Sequence, residues 1–307
     1  MRQSPSVIDA RGVFPVRLLI KAAGMIAAVL VVLSSSGAAE AASLRITDSL
    51  DREVLLELPV RRVVALNSDS LEILRVLDAE DLVVGVFSEI VRDRRFWGQL
   101  AERKGVGSWR DPDIEAIASL QPDLVLAYAR NPGASLEARL KAFGIQVLRL
   151  DFYKIENLER EVRVLGDLLD KSGKAEAFCA WHHRCLELIR ERTAAAVVRP
   201  DVYVESYSSF HAAGPGSGGN QMCLLAGGRN MAEAFEISYP RVTPEWVLAQ
   251  DVDIIVKAAS GSYGGEATSQ SLNRIRDEIR GRPGWSRIPA VRDGAVYVME
   301  SSVWTGP

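Results

Sequence analysis

Between residues 63 and 299, short apolar runs alternate with stretches whose apolar residues recur at helical spacing. A parallel strand pair needs a long crossover, usually a helix, so this alternation predicts mostly parallel sheets. The runs at residues 63–66, 82–87, 124–128 and 147–150 read as buried strands, with LEILRVL and LEARLKAFG as helices among them. Upstream, ITDSLDREVLLELPVRRVVAL predicts a hairpin turning at residues 48–51, a break at Pro59 and then the first buried strand.

The alternation stops once. Residues 155–196 hold no proline and only Gly166 and Gly173, with Leu158, Val162, Leu165 and Leu169 at helical spacing. Two consecutive helices are predicted, the second one long; Pro200 ends them. Strands then resume at residues 202–204, 254–256 and 296–299. The expected fold is α/β: two Rossmann-like lobes with mostly parallel sheets, joined by a long α-helix. The expected boundaries are residues 42–170, 171–197 and 198–307. At 307 residues, 48% hydrophobic and 25% charged, the chain can fill two modest cores.

The first 41 residues stand apart. Arg2, Arg11, Arg17 and Lys21 precede an apolar run at residues 25–33 and a small-residue stretch, the pattern of a secretory signal peptide cleaved after Ala41. An uncleaved anchor is the alternative. Cleavage leaves 33 basic and 38 acidic residues, a balance of −5 that argues against nucleic acid as a partner. The expected product is periplasmic and monomeric. Cys179 and Cys185 lie six residues apart in the long helix, about 9 Å along its axis and too far for a disulfide; an odd third thiol, Cys223, remains.

A repeat links the two blocks. IEAIASLQPDLVLAY from Ile114 aligns with PEWVLAQDVDIIVKA from Pro244 at constant offset, matching Glu115 with Glu245 and Asp123 with Asp253. In each copy a capping residue, Asp113 or Thr243, precedes a short helix whose second residue is glutamate.

DSLDREVLLELPVRRVVAL, DPDIEAIASLQPDLVLAY, LGDLLDKSGKAEAF, LLAGGRNMAEAF and TPEWVLAQDVDIIV, in this order, carry a resemblance to the periplasmic binding proteins that serve ABC importers of ferric siderophores, haem and vitamin B12. The resemblance spans nearly the whole chain after residue 41. It implies two lobes with ligand in the cleft between them and a permease dimer with a cytoplasmic ATPase as partner. It also implies that Glu115 and Glu245 dock onto arginines of the membrane subunits. Without the resemblance, each glutamate would simply complement the positive end of its helix. Members of the family continue beyond SSVWTGP with an arginine and further helices, so the second lobe is expected to end early.

Ligand sites in such sheets lie at strand C-termini. The candidates there are Asn67, Ser68 and the next two residues, Trp109, Arg110, Tyr128, Arg130, Tyr207, His211, Tyr263 and Trp304. Arg110 and Arg130 suit the carboxylates of a siderophore or haem better than they suit cobalamin, and the aromatics suit a flat organic face; a ferric siderophore is the expected ligand, with haem and cobalamin as alternatives. HAAGPGSGGN lacks the lysine and hydroxyl of a phosphate-binding loop, so its glycines are expected to permit close backbone approach. CAWHHRC places Cys179 and His183 on one helical face, but two ligands make no metal site; no intrinsic cofactor is expected. With three histidines, two of them adjacent, general bases are few, and an enzyme is not expected. A two-lobed enzyme or an envelope sensor are the competing classes.

Overall fold

The computed structural model describes residues 43–92, 94–259 and 268–300. The signal-peptide expectation, Tyr263, Trp304 and the C-terminal expectation lie outside these residues. Residues Ala41–Pro307 form one unit.

The chain opens with an antiparallel hairpin, β1 (Ser43–Thr47) and β2 (Glu53–Glu57), whose turn is held by Asp48. Asp48 Oδ1 accepts the N–H groups of Leu50 and Arg52 at 2.9 and 3.0 Å, while Oδ2 takes the Arg52 guanidinium. A carboxylate that satisfies two loop amides fixes a turn where no ladder can.

The first sheet contains β3 (Val63–Ala65), β4 (Val83–Val86), β5 (Lys104–Gly105), β6 (Leu124–Ala127) and β7 (Gln146–Arg149). Their order is β5-β4-β3-β6-β7, all parallel. Helices α1 (Ser68–Val76), α2 (Arg94–Trp97), α3 (Ile114–Ser119) and α4 (Ser135–Lys141) fill the crossovers. Both faces of this sheet are covered, which is why its strands are continuously apolar. Val63 and Ala65 join one core with Leu71, Leu74 and Val162, while Val64 and Leu66 join another with Ile117 and Leu140. The period of two sends neighbours to opposite faces.

Next come α5 (Ile155–Leu168) and α6 (Ser172–Ala194), the latter 23 residues and thus about 34 Å long. Leu158, Val162 and Leu165 of α5 and Cys179 of α6 pack into the first core. Gly166 permits the helix crossing: a Cβ there would stand 2.6 Å from Ala175 Cβ.

The second sheet holds β8 (Asp201–Glu205), β9 (Arg229–Asn230), β10 (Ile254–Ala258) and β11 (Val296–Met299), parallel in the order β9-β8-β10-β11. Helices α7 (Gly218–Leu225), α8 (Pro244–Leu248), α9 (Ser269–Arg280) and α10 (Pro289–Arg292) accompany it. Its core gathers Tyr203, Val247, Ile255 and Trp285.

The repeat seen in the sequence is structural. Asp123 Oδ2 accepts the N–H of Arg62 just before β3, and Asp253 Oδ2 accepts the N–H of Asp201 at the start of β8, each at 2.8 Å. In both sheets the strand after the repeat helix, β6 or β10, pairs with the sheet's first strand. Two-residue β5 and β9 carry no apolar run and were not anticipated.

Candidate functional site

α1 begins at the C-terminal end of β3, and Asn67 caps it, its Oδ1 accepting the N–H of Ser70 at 2.8 Å. Asp69, in the first turn, is fully buried. Its Oδ1 accepts from Ser68 Oγ and from Tyr128 Oη, both at 2.9 Å. Tyr128 follows β6, so two strand ends are joined by one carboxylate.

The Tyr128 ring stands edge-on to two others: Trp109 at 6.0 Å between centroids and Tyr153 at 5.7 Å. Such geometry sets the positive edge of one ring against the negative face of its neighbour. The Arg110 guanidinium lies 4.4 Å from the Trp109 centroid, and Lys154 5.7 Å from that of Tyr153. Trp109, Tyr128 and Tyr153 thus form an aromatic wall edged by cations.

Four carboxyl groups sit behind and beside this wall. Asp151 Oδ1 takes the N–H of Ala129 at 2.8 Å, and Oδ2 takes Lys154 Nζ at 2.9 Å. Desolvation pushes Asp69 up to about 6, against the hydrogen bonds from Tyr128 and Ser68. One turn along α1, desolvation and then the charge of Asp69 push Glu72 up to about 8, partly offset by Arg75. Glu161, buried under Ser49 and the Asp151 amide, is raised to about 7, first by desolvation.

The second lobe reaches the same place. Gln221 of α7 accepts the N–H of Ile155 at 3.1 Å and also binds Glu156. Gly218, at the start of α7, faces the Tyr153 carbonyl, which a Cβ would meet at 3.4 Å. Tyr239, between β9 and α8, has its phenol raised first by desolvation and then by the charge of Asp69. Desolvation foremost, and the charges of Asp151, Tyr239 and Asp69 as well, hold the Tyr153 phenol above its usual range. Tyr239 nevertheless remains 50% exposed, so its ring borders open space.

Each sheet grips a loop beyond its strands with a buried cation. Arg149, at the end of β7, donates from Nη1 to the carbonyls of Tyr128, Ala129 and Pro132 at 2.8, 3.2 and 2.8 Å, and from Nη2 to that of Gly133. Its Nε and Nη2 hold Glu137. Desolvation would raise the Glu137 carboxyl, but these bonds outweigh it and bring it to about 2. Lys257 of β10 donates to the carbonyls of Ser206 and Tyr207 beyond β8, beside buried Glu205. Glu205 also receives a bidentate Arg282 at 2.7 and 2.8 Å.

Of the anticipated ligand residues, Asn67, Ser68, Trp109, Arg110 and Tyr128 come together around Asp69. Arg130 is exposed on the loop that Arg149 grips. Tyr207 sits on the Lys257-held loop of the second lobe, and His211 bridges in sheet fashion to Arg241, its Nδ1 3.2 Å from the Ser209 carbonyl. Glu72, Tyr153 and Tyr239 were not anticipated. The HAAGPGSGGN loop behaves as expected: a Cβ at Gly214 would stand 2.5 Å from the Ile237 carbonyl, and Ser217 Oγ caps α7. His183 pairs with Glu187 at 3.2 Å while Cys179 is buried, so CAWHHRC does not converge. Among the described residues, no group of three or more His, Cys, Asp or Glu could hold a metal ion.

Glu115 and Glu245 are both exposed in the first turns of α3 and α8, behind the caps Asp113 and Thr243. Neither shares an ion pair among the described residues.

Comparison with known proteins gives a consistent picture. A family model described as "Periplasmic binding protein" matches residues 63–303. An uncharacterized ABC transporter substrate-binding lipoprotein of Bacillus subtilis is 25% identical over 85% of this chain and 79% of its own length. A cobalamin-binding protein of Halobacterium salinarum is 28% identical over 73% of this chain, which spans 61% of that relative. A vitamin B12-binding protein of Salmonella typhi is 26% identical over 50% of this chain and 58% of its own. Among solved structures, the molybdate periplasmic binding protein MolA of Haemophilus influenzae superposes with a TM-score of 0.69 at 21% identity, covering 86% of each chain. An Fe3+-hydroxamate transport protein of Saccharomonospora viridis gives 0.68 at 23% identity, over 86% of this chain and 93% of its own. These superpositions show the shared fold.

Proposed function

The chain belongs to the periplasmic binding protein family, and on that premise we propose that it is the substrate-binding component of an ABC importer, carrying a metal chelate in the cleft between its lobes. The observation that supports this best is the wall of Trp109, Tyr128 and Tyr153, with Tyr239 of the other lobe beside it. Aromatic faces and edges suit the organic shell of a chelate, and no protein ligand to the metal is then required. The cargo metal arrives and leaves inside its chelator.

Two chelates have support. Arg110 and Arg130, exposed beside the wall, suit an anionic ferric siderophore. The cobalamin-binding and vitamin B12-binding relatives favour a corrinoid. Capture takes place outside the cytoplasm after export; among the described residues no helix is long and apolar enough to cross a membrane. Glu115 and Glu245 would engage the two membrane subunits, one lobe to each.

Spectra of protein purified from its host test this directly, together with titration of tryptophan fluorescence, to which Trp109 contributes. Cobalamin and haem would each show their own visible bands, and a ferric siderophore would quench Trp109. Chemical turnover of a small substrate, with no chelate bound at any concentration, would replace the binding-protein reading with an enzymatic one.

A further inference from the structure

Asp69 is more than a strut for Tyr128. Oδ1 has two donors, Ser68 and Tyr128, but Oδ2 is buried and has no hydrogen-bond partner among the described residues. The same helical turn holds two further buried polar atoms without partners, Asn67 Nδ2 and Ser70 Oγ. A buried carboxylate oxygen left unpaired has lost its hydration with nothing in exchange. The carboxylate borders the aromatic site: its other oxygen holds Tyr128, whose ring meets those of Trp109 and Tyr153.

We propose that Asp69 Oδ2 receives a hydrogen-bond-donor arm of the chelate, an ammonium or a primary amide, so that the cleft prefers chelates presenting donors to those presenting carboxylates there. The inference rests on the metal-chelate reading and sharpens it. An ammonium would pair with Asp69 alone. A primary amide would also offer its carbonyl to Asn67 Nδ2, satisfying a donor and an acceptor at once. A carboxylate in the same place would face the Asp69 carboxylate.

The test measures fluorescence affinities of the full chain for four probes: cyanocobalamin with its amide arms, ferrioxamine B with its ammonium, and haemin and ferric dicitrate with their carboxylates. It compares the native protein with Asp69→Asn, whose folding is checked by circular dichroism and thermal melting. Asparagine keeps the acceptor for Tyr128 but turns a donor toward the arm. The expected result is tighter binding of cyanocobalamin or ferrioxamine B by the native protein. Asp69→Asn should weaken that probe about tenfold or more and leave the carboxylate probes unchanged or tighter. Which donor probe is favoured separates the amide from the ammonium. Preference for a carboxylate probe, or an equal loss for all probes in a folded variant, overturns the inference while leaving the chelate reading standing. If none of the four binds the folded native protein, the chelate reading falls, and the inference with it.

Discussion

Glu72 shows how a single residue of the site costs the protein stability. Its carboxyl is raised from 4.5 to about 8 by desolvation and then by Asp69, against Arg75. A raised acid keeps its proton in the folded state after the unfolded chain has released it. Its penalty therefore begins near pH 4.5, grows as pH rises, and is complete above about pH 8. Glu72→Gln removes that penalty. Urea denaturation should find the variant about 1–2 kcal/mol more stable at pH 9 and indistinguishable at pH 4.5, once solvent screening of the nominal shift is allowed for. A gain independent of pH would mean that the carboxyl is not titrating in that window. Trp109 and Tyr128 were legible in the sequence because each follows a strand or its loop at the sheet's C-terminal edge. Glu72 was not, since an acid inside a helical pattern looks like solvated surface. Tyr239 was not either: residues 231–243 have no periodicity, and only the fold brings that phenol within range of the Asp69 charge.

At the scale of elements, the apolar runs announced the strands because both faces of each sheet are covered. The two-residue edge strands β5 and β9 could not be announced, being Lys-Gly and Arg-Asn. Equally hidden were the two buried cations that hold the loops beyond β6 and β8. Arg149 looked like one polar residue in an apolar run and Lys257 like another, yet they hold carbonyls that no ladder reaches. A guanidinium offers five donors in a rigid planar fork, where an ammonium offers three around a single point. Arg149→Met would remove six charge-assisted bonds at once, to the carbonyls of Tyr128, Ala129, Pro132 and Gly133 and to Glu137, and leave Glu137 to Arg52, at about 3–5 kcal/mol. Arg149→Lys should recover less than half of that. Lys257→Met is expected to cost less, about 2–3 kcal/mol, because Arg282 still neutralises Glu205. Equilibrium unfolding of the three variants ranks them, and a Lys variant as stable as the native protein would show that charge alone, not the fork, holds the first loop.

For the molecule as a whole, the repeat bears on how the proposed binder would meet an importer. Asp123 and Asp253 perform the same task in the two sheets, so α3 and α8 occupy matching places, and with them Glu115 and Glu245. Two exposed like charges at equivalent points can fix the protein on a two-fold partner, which one charge cannot. First-turn glutamates also favour their helices by about 0.3–1 kcal/mol each, and that alone would explain their presence. The two roles separate under charge reversal. Glu115→Arg with Glu245→Arg should lower the melting temperature only slightly and leave chelate affinity within about twofold, since neither side chain is part of the aromatic site. Uptake by cells, or stimulation of the importer's ATPase in vesicles, should fall at least about tenfold, with each single reversal intermediate. Raising the salt should weaken the native pairing in the same assay, because exposed pairs are screened. If the double variant transports normally, these glutamates serve their helices and the importer grips some other surface of the two lobes.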